Sequence, residues 1–281
     1  MSEVIAASSD PFRYDSVMSE PPVILRELTV GLLDWPAALE GVRIAHVSDL
    51  HLRRWNGVAQ AAQELLESLD YDLLVATGDF GNFHRHWQRA VELTRRFFQP
   101  LRDRGEIFAV LGNHDDARMA TAPDVPLTFL RNECRRIELR GAAFTLAGLE
   151  QSTRNSECID AVLGEAVAPS ILLAHYPSTV FRLPEAADIS LVLSGHTHGG
   201  QIRFPGLGCL WCNDKVPRSM ARGLHRVRNT AVHVSAGVGV SLPLRVRINC
   251  PPEVALLTLV GVRRQHEPRG PTHTTADCGS T

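Results

Sequence analysis

Short apolar runs rich in β-branched residues recur along the chain, and most of them stop at a polar residue. VILRELTVGL (23–32) and VRIAHVSDL (42–50) flank WPAALEG, whose Pro and Gly mark a turn, so the two runs read as a strand pair. DLLVATGD (72–79) and IFAVLGNHD (107–115) are continuous apolar runs, as expected of strands covered on both faces. PSILLAHYP (169–177), ISLVLSGHTH (189–198), AVHVSAGVG (231–239) and EVALLTLVG (253–261) repeat the pattern. GVAQAAQELLESL (57–69) carries Ala, Leu and Glu at helical spacing. WQRAVELTRRFFQPLRD (87–103) predicts a second helix, with Val91, Phe97, Phe98 and Leu101 turned to the core. Strands alternate with helices in the first half and dominate the second. The order predicts an α/β fold that opens with a right-handed βαβ unit and continues into a second sheet stacked on the first. Residues 1–20 read as a flexible arm and 262–281, polar and rich in Pro, Gly and Thr, as a flexible tail around one domain at 21–261.

Composition narrows the function classes. At 281 residues and 44% hydrophobic, the chain can bury one large core. Its 29 basic and 31 acidic residues nearly cancel, which gives no general attraction to nucleic acid, and aromatics at 6% leave little for base stacking. The six cysteines are scattered, so a disulfide framework is not expected. Cys209 and Cys212 form a single CxxC, read as buried or loop thiols rather than a zinc or redox site. The first residues lack a basic stretch followed by an apolar one, and no window has the length of a membrane span. A cytoplasmic protein is expected, with contact at the periphery of the inner membrane kept open.

The ends of the apolar runs carry the chemistry. Asp49 and His51 end the second run, Asp79 the third, Asn113 with His114 and Asp115 the fourth, His175 the fifth, and His196 with His198 the sixth. Ligands collect beyond the carboxyl ends of strands in open α/β sheets. Residues two apart in extended chain point the same way, so Asp49 with His51, and His196 with His198, can each serve one site. Imidazole and carboxylate without thiolate favour a hard or borderline divalent ion. Seven candidate ligands exceed what one tetrahedral site uses and suit two ions sharing a carboxylate.

In this order the segments DLH, GD, GNHD, a lone His after a strand, and GHTH resemble the calcineurin-like metallophosphoesterases over about residues 42–260. The resemblance implies two stacked mixed β-sheets, a β sandwich, flanked by helices. It implies that Asp49, His51 and His198 hold one ion, that Asn113, His175 and His196 hold the other, and that Asp79 bridges them. The two divalent ions would be Mn²⁺ first, with Fe, Zn, Co or Mg as alternatives, and a hydroxide between them would attack phosphorus. His114 would be no ligand but would sit near the scissile ester, as general acid to the leaving oxygen or as a transition-state donor, with Asp115 orienting its imidazole. GHTHGGQIRFPG, Arg222 with Gly223, VSAGVGVSLPLRV and PPEVALLTL are similar to the bacterial subgroup of YkuE- and YaeI-type phosphodiesterases. That points to a phosphodiester or pyrophosphate substrate, lipid- or nucleotide-linked, such as a UDP-2,3-diacylglucosamine. Many family members carry a second carboxylate after the Gly-Asp pair, where this chain has GDFGN at 78–82.

Rival readings stay beside these. A cyclic-nucleotide or nucleic-acid phosphodiesterase uses the same centre, and a non-catalytic binding module uses the same fold. Arg53 and Arg54, directly after the first metal motif, are placed to meet a substrate phosphate. His84 and His86 read as a solvated loop entering a helix, and His46 as a sheet-face residue. Eight Lys and Arg in 203–247, against Asp214, read equally as a basic lip for anionic substrate or lipid and as solvated hairpin faces. No P-loop, GxGxxG or GxSxG motif is present.

Overall fold

A computed structural model describes residues 22–150, 156–164, 166, 168–184, 187–241 and 246–262. The arm expected at 1–20, and all but the first residue of the expected tail, lie outside the described residues. Two six-stranded mixed sheets stack on one another. The first holds β1 (Ile24–Leu33), β2 (Val42–Val47), β3 (Leu73–Ala76), β4 (Ile107–Ala109), β5 (Thr128–Phe129) and β14 (Glu253–Val262), in the order β1-β14-β2-β3-β4-β5. The second holds β6 (Glu133–Leu139), β7 (Ala142–Leu149), β8 (Ser170–Ala174), β9 (Ile189–Ser194), β12 (Gly223–Val227) and β13 (Thr230–Val234), in the order β12-β13-β9-β8-β7-β6. A small hairpin joins β10 (Arg203–Phe204) to β11 (Gly208–Cys209).

Side-chain alternation builds the layers. Val42 and Ile44 on β2, Ile171 and Leu173 on β8, and Leu191 and Leu193 on β9 meet between the sheets. Their neighbours Ala45 and Val47 face outward under helix α1 (Gly57–Ser68) and helix α2 (Trp87–Phe98). Leu172 and Val192 face outward under helix α3 (Ser156–Gly164). The strands are apolar on both faces because both faces are covered.

Helix α1 starts where the Asn56 side chain accepts from Ala59 N, and it buries Ala59, Ala62 and Leu66. Helix α2 buries Ala90, Val91, Leu93, Phe97 and Phe98. It ends earlier than its apolar pattern predicts. Pro100 has no N–H to offer the preceding turn, and Gln99–Arg104 tightens into a 3₁₀ segment that still buries Leu101.

Two further expectations change. β1 and β2 do not pair with each other: β14 lies between them, parallel to β1 and antiparallel to β2. Strands β6 and β7 add to the expected set, although AAFTLAGL of β7 is apolar but for Thr145. β6 is an edge strand with alternating exposure, and its sequence ECRRIEL is correspondingly polar.

Candidate metal centre

Each chemistry-bearing residue follows the carboxyl end of a strand. The first sheet supplies Asp49 and His51 after β2, Asp79 after β3 and Asn113 after β4; the second supplies His175 after β8, and His196 and His198 after β9. Backbone bonds bind these loops together: Asp49 N–H donates to Gly78 O, and His51 N–H to Asp79 O, both at 2.9 Å. His196 N–H donates to the Asp49 carboxylate at 3.0 Å, which locks the second sheet's loop onto the first. Glycines permit this closeness. A Cβ on Gly195 would overlap Ser48 Oγ and Asp49 Oδ2, and a Cβ on Gly112 would overlap Asp79.

Ligand atoms of Asp49, His51, Asp79 and His198 lie within 4.8 Å of one another, and so do those of Asp79, His175 and His196. Asp79 belongs to both groups, and all six residues are buried. The spacings suit ligands rather than hydrogen-bond partners. His51 Nε2 stands 3.0 Å from His198 Nε2, 3.5 Å from Asp79 Oδ2, and His198 Nε2 stands 3.4 Å from Asp49 Oδ1. Donors about 2.1 Å from a common ion are separated by about 3.0–3.4 Å. His175 Nε2 lies 3.4 Å from Asp79 Oδ2 and 3.1 Å from Asn113 Oδ1, which brings the amide into the second group.

The far side of two imidazoles is fixed by carbonyls. His175 Nδ1 sits 2.7 Å from Thr77 O and His196 Nε2 sits 3.0 Å from Asn213 O. A proton on each of those nitrogens leaves Nε2 of His175 and Nδ1 of His196 free to bind a cation.

Electrostatics point the same way. Burial pulls the His51 imidazole down to about 4 and that of His198 well below its ordinary value, so both are neutral and able to coordinate. At His175 burial is outweighed by Asp79 and Asp49, and the group rises to about 10; the reciprocal attraction holds Asp79 below the carboxylate range despite its burial. Burial raises Asp49. The carboxylates of Asp79 and Asp49 thus favour positive charge at this point, as they would a divalent cation.

His114 lies beside the two groups, its ring 5.1 Å from that of His51. Its N–H donates to Asp79 Oδ1 at 2.8 Å, and its Nδ1 faces Asn82 O at 3.1 Å, which leaves Nε2 for proton transfer. For Asp115, expected to orient this imidazole, the structure shows other partners. The Asp115 carboxylate is buried and accepts from the N–H groups of Asp79 (2.7 Å), Gly112 (2.9 Å) and Gly81 (3.1 Å). Burial, then the Asp79 charge, pushes it up to about 7. It splices the loops after β3 and β4 rather than turning to its sequence neighbour.

Arg53 and Arg54 are exposed on the loop after His51. A cavity of about 440 Å³ opens beside His175, but its walls are Tyr176, Arg182, Trp211, Asn213, Asp214 and Lys215, among others, and neither Arg53 nor Arg54. Tyr176 packs against His196 at 4.3 Å between ring centroids. His84, also exposed, reaches Asn113 O at 3.1 Å. His46 is buried with Nδ1 2.9 Å from His233 Nδ1 and Nε2 2.8 Å from Thr77 Oγ1. The basic residues of 203–247 do not form one lip. Arg226 bonds Gly31 O and Arg228 bonds Leu183 O, whereas Arg247 folds inward onto the carbonyls of Ala236, Gly237 and Gly239 and ends 3.5 Å from His198 Nδ1. Arg245 lies outside the described residues.

The family model for calcineurin-like phosphoesterases matches residues 42–200, which span every residue of both groups. The chain belongs to this family. Among curated relatives it is 26% identical to the uncharacterized metallophosphoesterase YkoQ of Bacillus subtilis, over 87% of this chain and 93% of that one. It is 28% identical to the phosphodiesterase YaeI of Escherichia coli, over 78% and 82%. It is 31% identical to an uncharacterized metallophosphoesterase of Aquifex aeolicus, over 78% and 85%. Membership of the family makes the chain a hydrolase of phosphoric esters, and the buried Asp/His groups are its metal-binding cluster.

Proposed function

We propose that this metallophosphoesterase cleaves a phosphodiester or pyrophosphate bond over two divalent ions, the first held by Asp49, His51 and His198 and the second by Asn113, His175 and His196, with Asp79 shared. The observation that carries the proposal is the pair of ligand groups overlapping at one buried carboxylate. When bound, the ions would supply Lewis acidity and lower the pKa of water. The Thr77 and Asn213 carbonyls orient the two imidazoles, and Asp115 holds the loops that carry Asp79 and Asn113. His114, its Nδ1 facing Asn82 O, turns Nε2 to the site as the atom that would pass a proton to the leaving oxygen.

The diester or pyrophosphate class rests on the YaeI likeness and on the cavity, where Tyr176 and Trp211 offer apolar surface and Arg182 and Lys215 offer charge to a substrate carrying both. A lipid- or nucleotide-linked phosphate fits that combination. Mn²⁺ is the first ion to test, since the donors are imidazole, carboxylate and amide. Its site of action would be cytoplasmic and peripheral to the inner membrane, where the thiols of Cys134, Cys209, Cys212 and Cys250 would stay reduced.

Turnover of bis-p-nitrophenyl phosphate with Mn²⁺, and its loss with chelator, tests the reading. Absence of metal-dependent turnover across a panel of diesters and nucleotide-linked pyrophosphates would overturn it.

A further inference from the structure

Eight large hydrophobic side chains are exposed among the described residues, and six of them sit in two neighbouring segments: Phe204, Leu207, Leu210 and Trp211, with Val246 and Ile248. The exposure is high at Leu207 (75%) and Trp211 (74%). The segments form one surface. Ile202 bridges Ile248, Arg203 N–H donates to Ile248 O at 2.9 Å, and Asn249 Nδ2 donates to Arg203 O at 3.1 Å. The hairpin is anchored from beneath by Arg203 Nη1 on Gly199 O and by the buried Cys209, so its apolar tip is held out.

We propose that this surface docks the protein on an anionic phospholipid bilayer. The proposal deepens the lipid-peripheral part of the function reading by naming the face that meets the lipid. Three observations select that occupant. Phe204 and Leu207 on the hairpin, with Leu210 and Trp211 directly after it, match the residue types that enter the headgroup boundary. Lys215 and Arg218, both exposed, flank them, and the nearby acid, Asp214, accepts from the N–H groups of Ser178 and Lys215. The two exposed cations outnumber that acid and favour anionic headgroups. Trp211 also walls the cavity beside His175, so docking sets that cavity at the level of headgroup phosphates. No helix among the described residues is long and apolar enough to cross a membrane, and docking of this kind requires none.

The test is co-sedimentation of the full chain with phosphatidylcholine vesicles, with and without phosphatidylglycerol. Binding should appear with phosphatidylglycerol and weaken in high salt. Leu207→Asp with Leu210→Asp should cut the partition coefficient by about tenfold per leucine, with the circular dichroism spectrum unchanged. Arg218→Glu should reduce binding to the anionic vesicles alone. No binding of the unaltered chain to anionic vesicles, or equal binding of the leucine variant, would sink the proposal. So would a dimer in sedimentation velocity that the leucine substitutions dissolve, since the face would then meet a second copy. Sedimentation requires no turnover, so a chain that docks but hydrolyses nothing defeats the catalytic reading alone, and the converse result defeats docking alone.

Discussion

Asp49, His51, Asp79, His196 and His198 all adopt positive φ, between 45° and 69°. Left-handed backbone costs a side-chain-bearing residue about 1–2 kcal/mol. Five such residues at one site mark local conformations that the surroundings impose, and the bonds between Asp49, Gly78, His51, Asp79 and His196 are what impose them. Gly195→Ala tests that tightness without removing a ligand. The methyl group must displace Ser48 or Asp49, so the variant should lose about 1–3 kcal/mol in thermal or denaturant unfolding and bind Mn²⁺ more weakly by calorimetry. Unchanged metal affinity would show that the loops can relax. His114→Ala should keep its metal content, measured by elemental analysis, while kcat falls by about 10²–10⁴-fold. A variant that turns over like the parent would remove the acid role. At this scale the ligand types were legible because their chemistry is unusual at the ends of apolar runs. The Thr77 and Asn213 carbonyls were not, since a backbone oxygen leaves no mark in the residue type. The position of Asp115 beside His114 in the chain suggested a partnership, and gave no sign of the three backbone N–H groups that its carboxylate accepts from.

The buried His46–His233 pair joins β2 of one sheet to β13 of the other. Thr77 Oγ1 donates to Ser48 Oγ, so His46 Nε2–H donates to Thr77, and His46 Nδ1 accepts from His233. Both rings are therefore neutral in the fold. Burial lowers His233 to about 4, with Glu253 opposing and Arg26 and His225 adding to the shift; burial and then His233 lower His46. A histidine depressed on folding contributes fully above its unfolded value near 6.5 and loses that contribution as pH falls towards its folded value. Metal-free protein should thus lose stability between pH 6.5 and 4, with His233 accounting for about 3 kcal/mol of the loss. Denaturant titrations of His46→Leu with His233→Leu should show a shallower pH slope, and an identical slope would reject the account. Element types followed from periodicity where both faces are covered, as in β3, β8 and β9. They were obscured where exposure alternates with charge, as in β6. Pairing was harder still, because β14 is separated from β1 by almost the whole described chain.

On the scale of the molecule, the first sheet contributes Asp49, His51, Asp79 and Asn113 and the second contributes His175, His196 and His198. Ions bound between them would fasten one sheet's loops to the other's. Saturating Mn²⁺ at about 100 to 1,000 times Kd should stabilise the fold by about 3–4 kcal/mol, read as a rise in Tm that chelator reverses. A Tm indifferent to metal would mean that the groups do not bind it in the native state. The stacked-sheet architecture was readable from the order of runs. The surface at Phe204–Trp211 was not, because an exposed leucine and a buried one look alike until the packing is known. The position of β14 has a consequence for how the chain is made. Residues 253–262 are translated after every other described strand, yet they occupy the second place in the first sheet, between β1 and β2. β1 therefore leaves the ribosome long before its hydrogen-bonding partner exists. A nascent chain can assemble β2, β3 and β4 early, but it must hold β1 unpaired until residues 253–262 have been made.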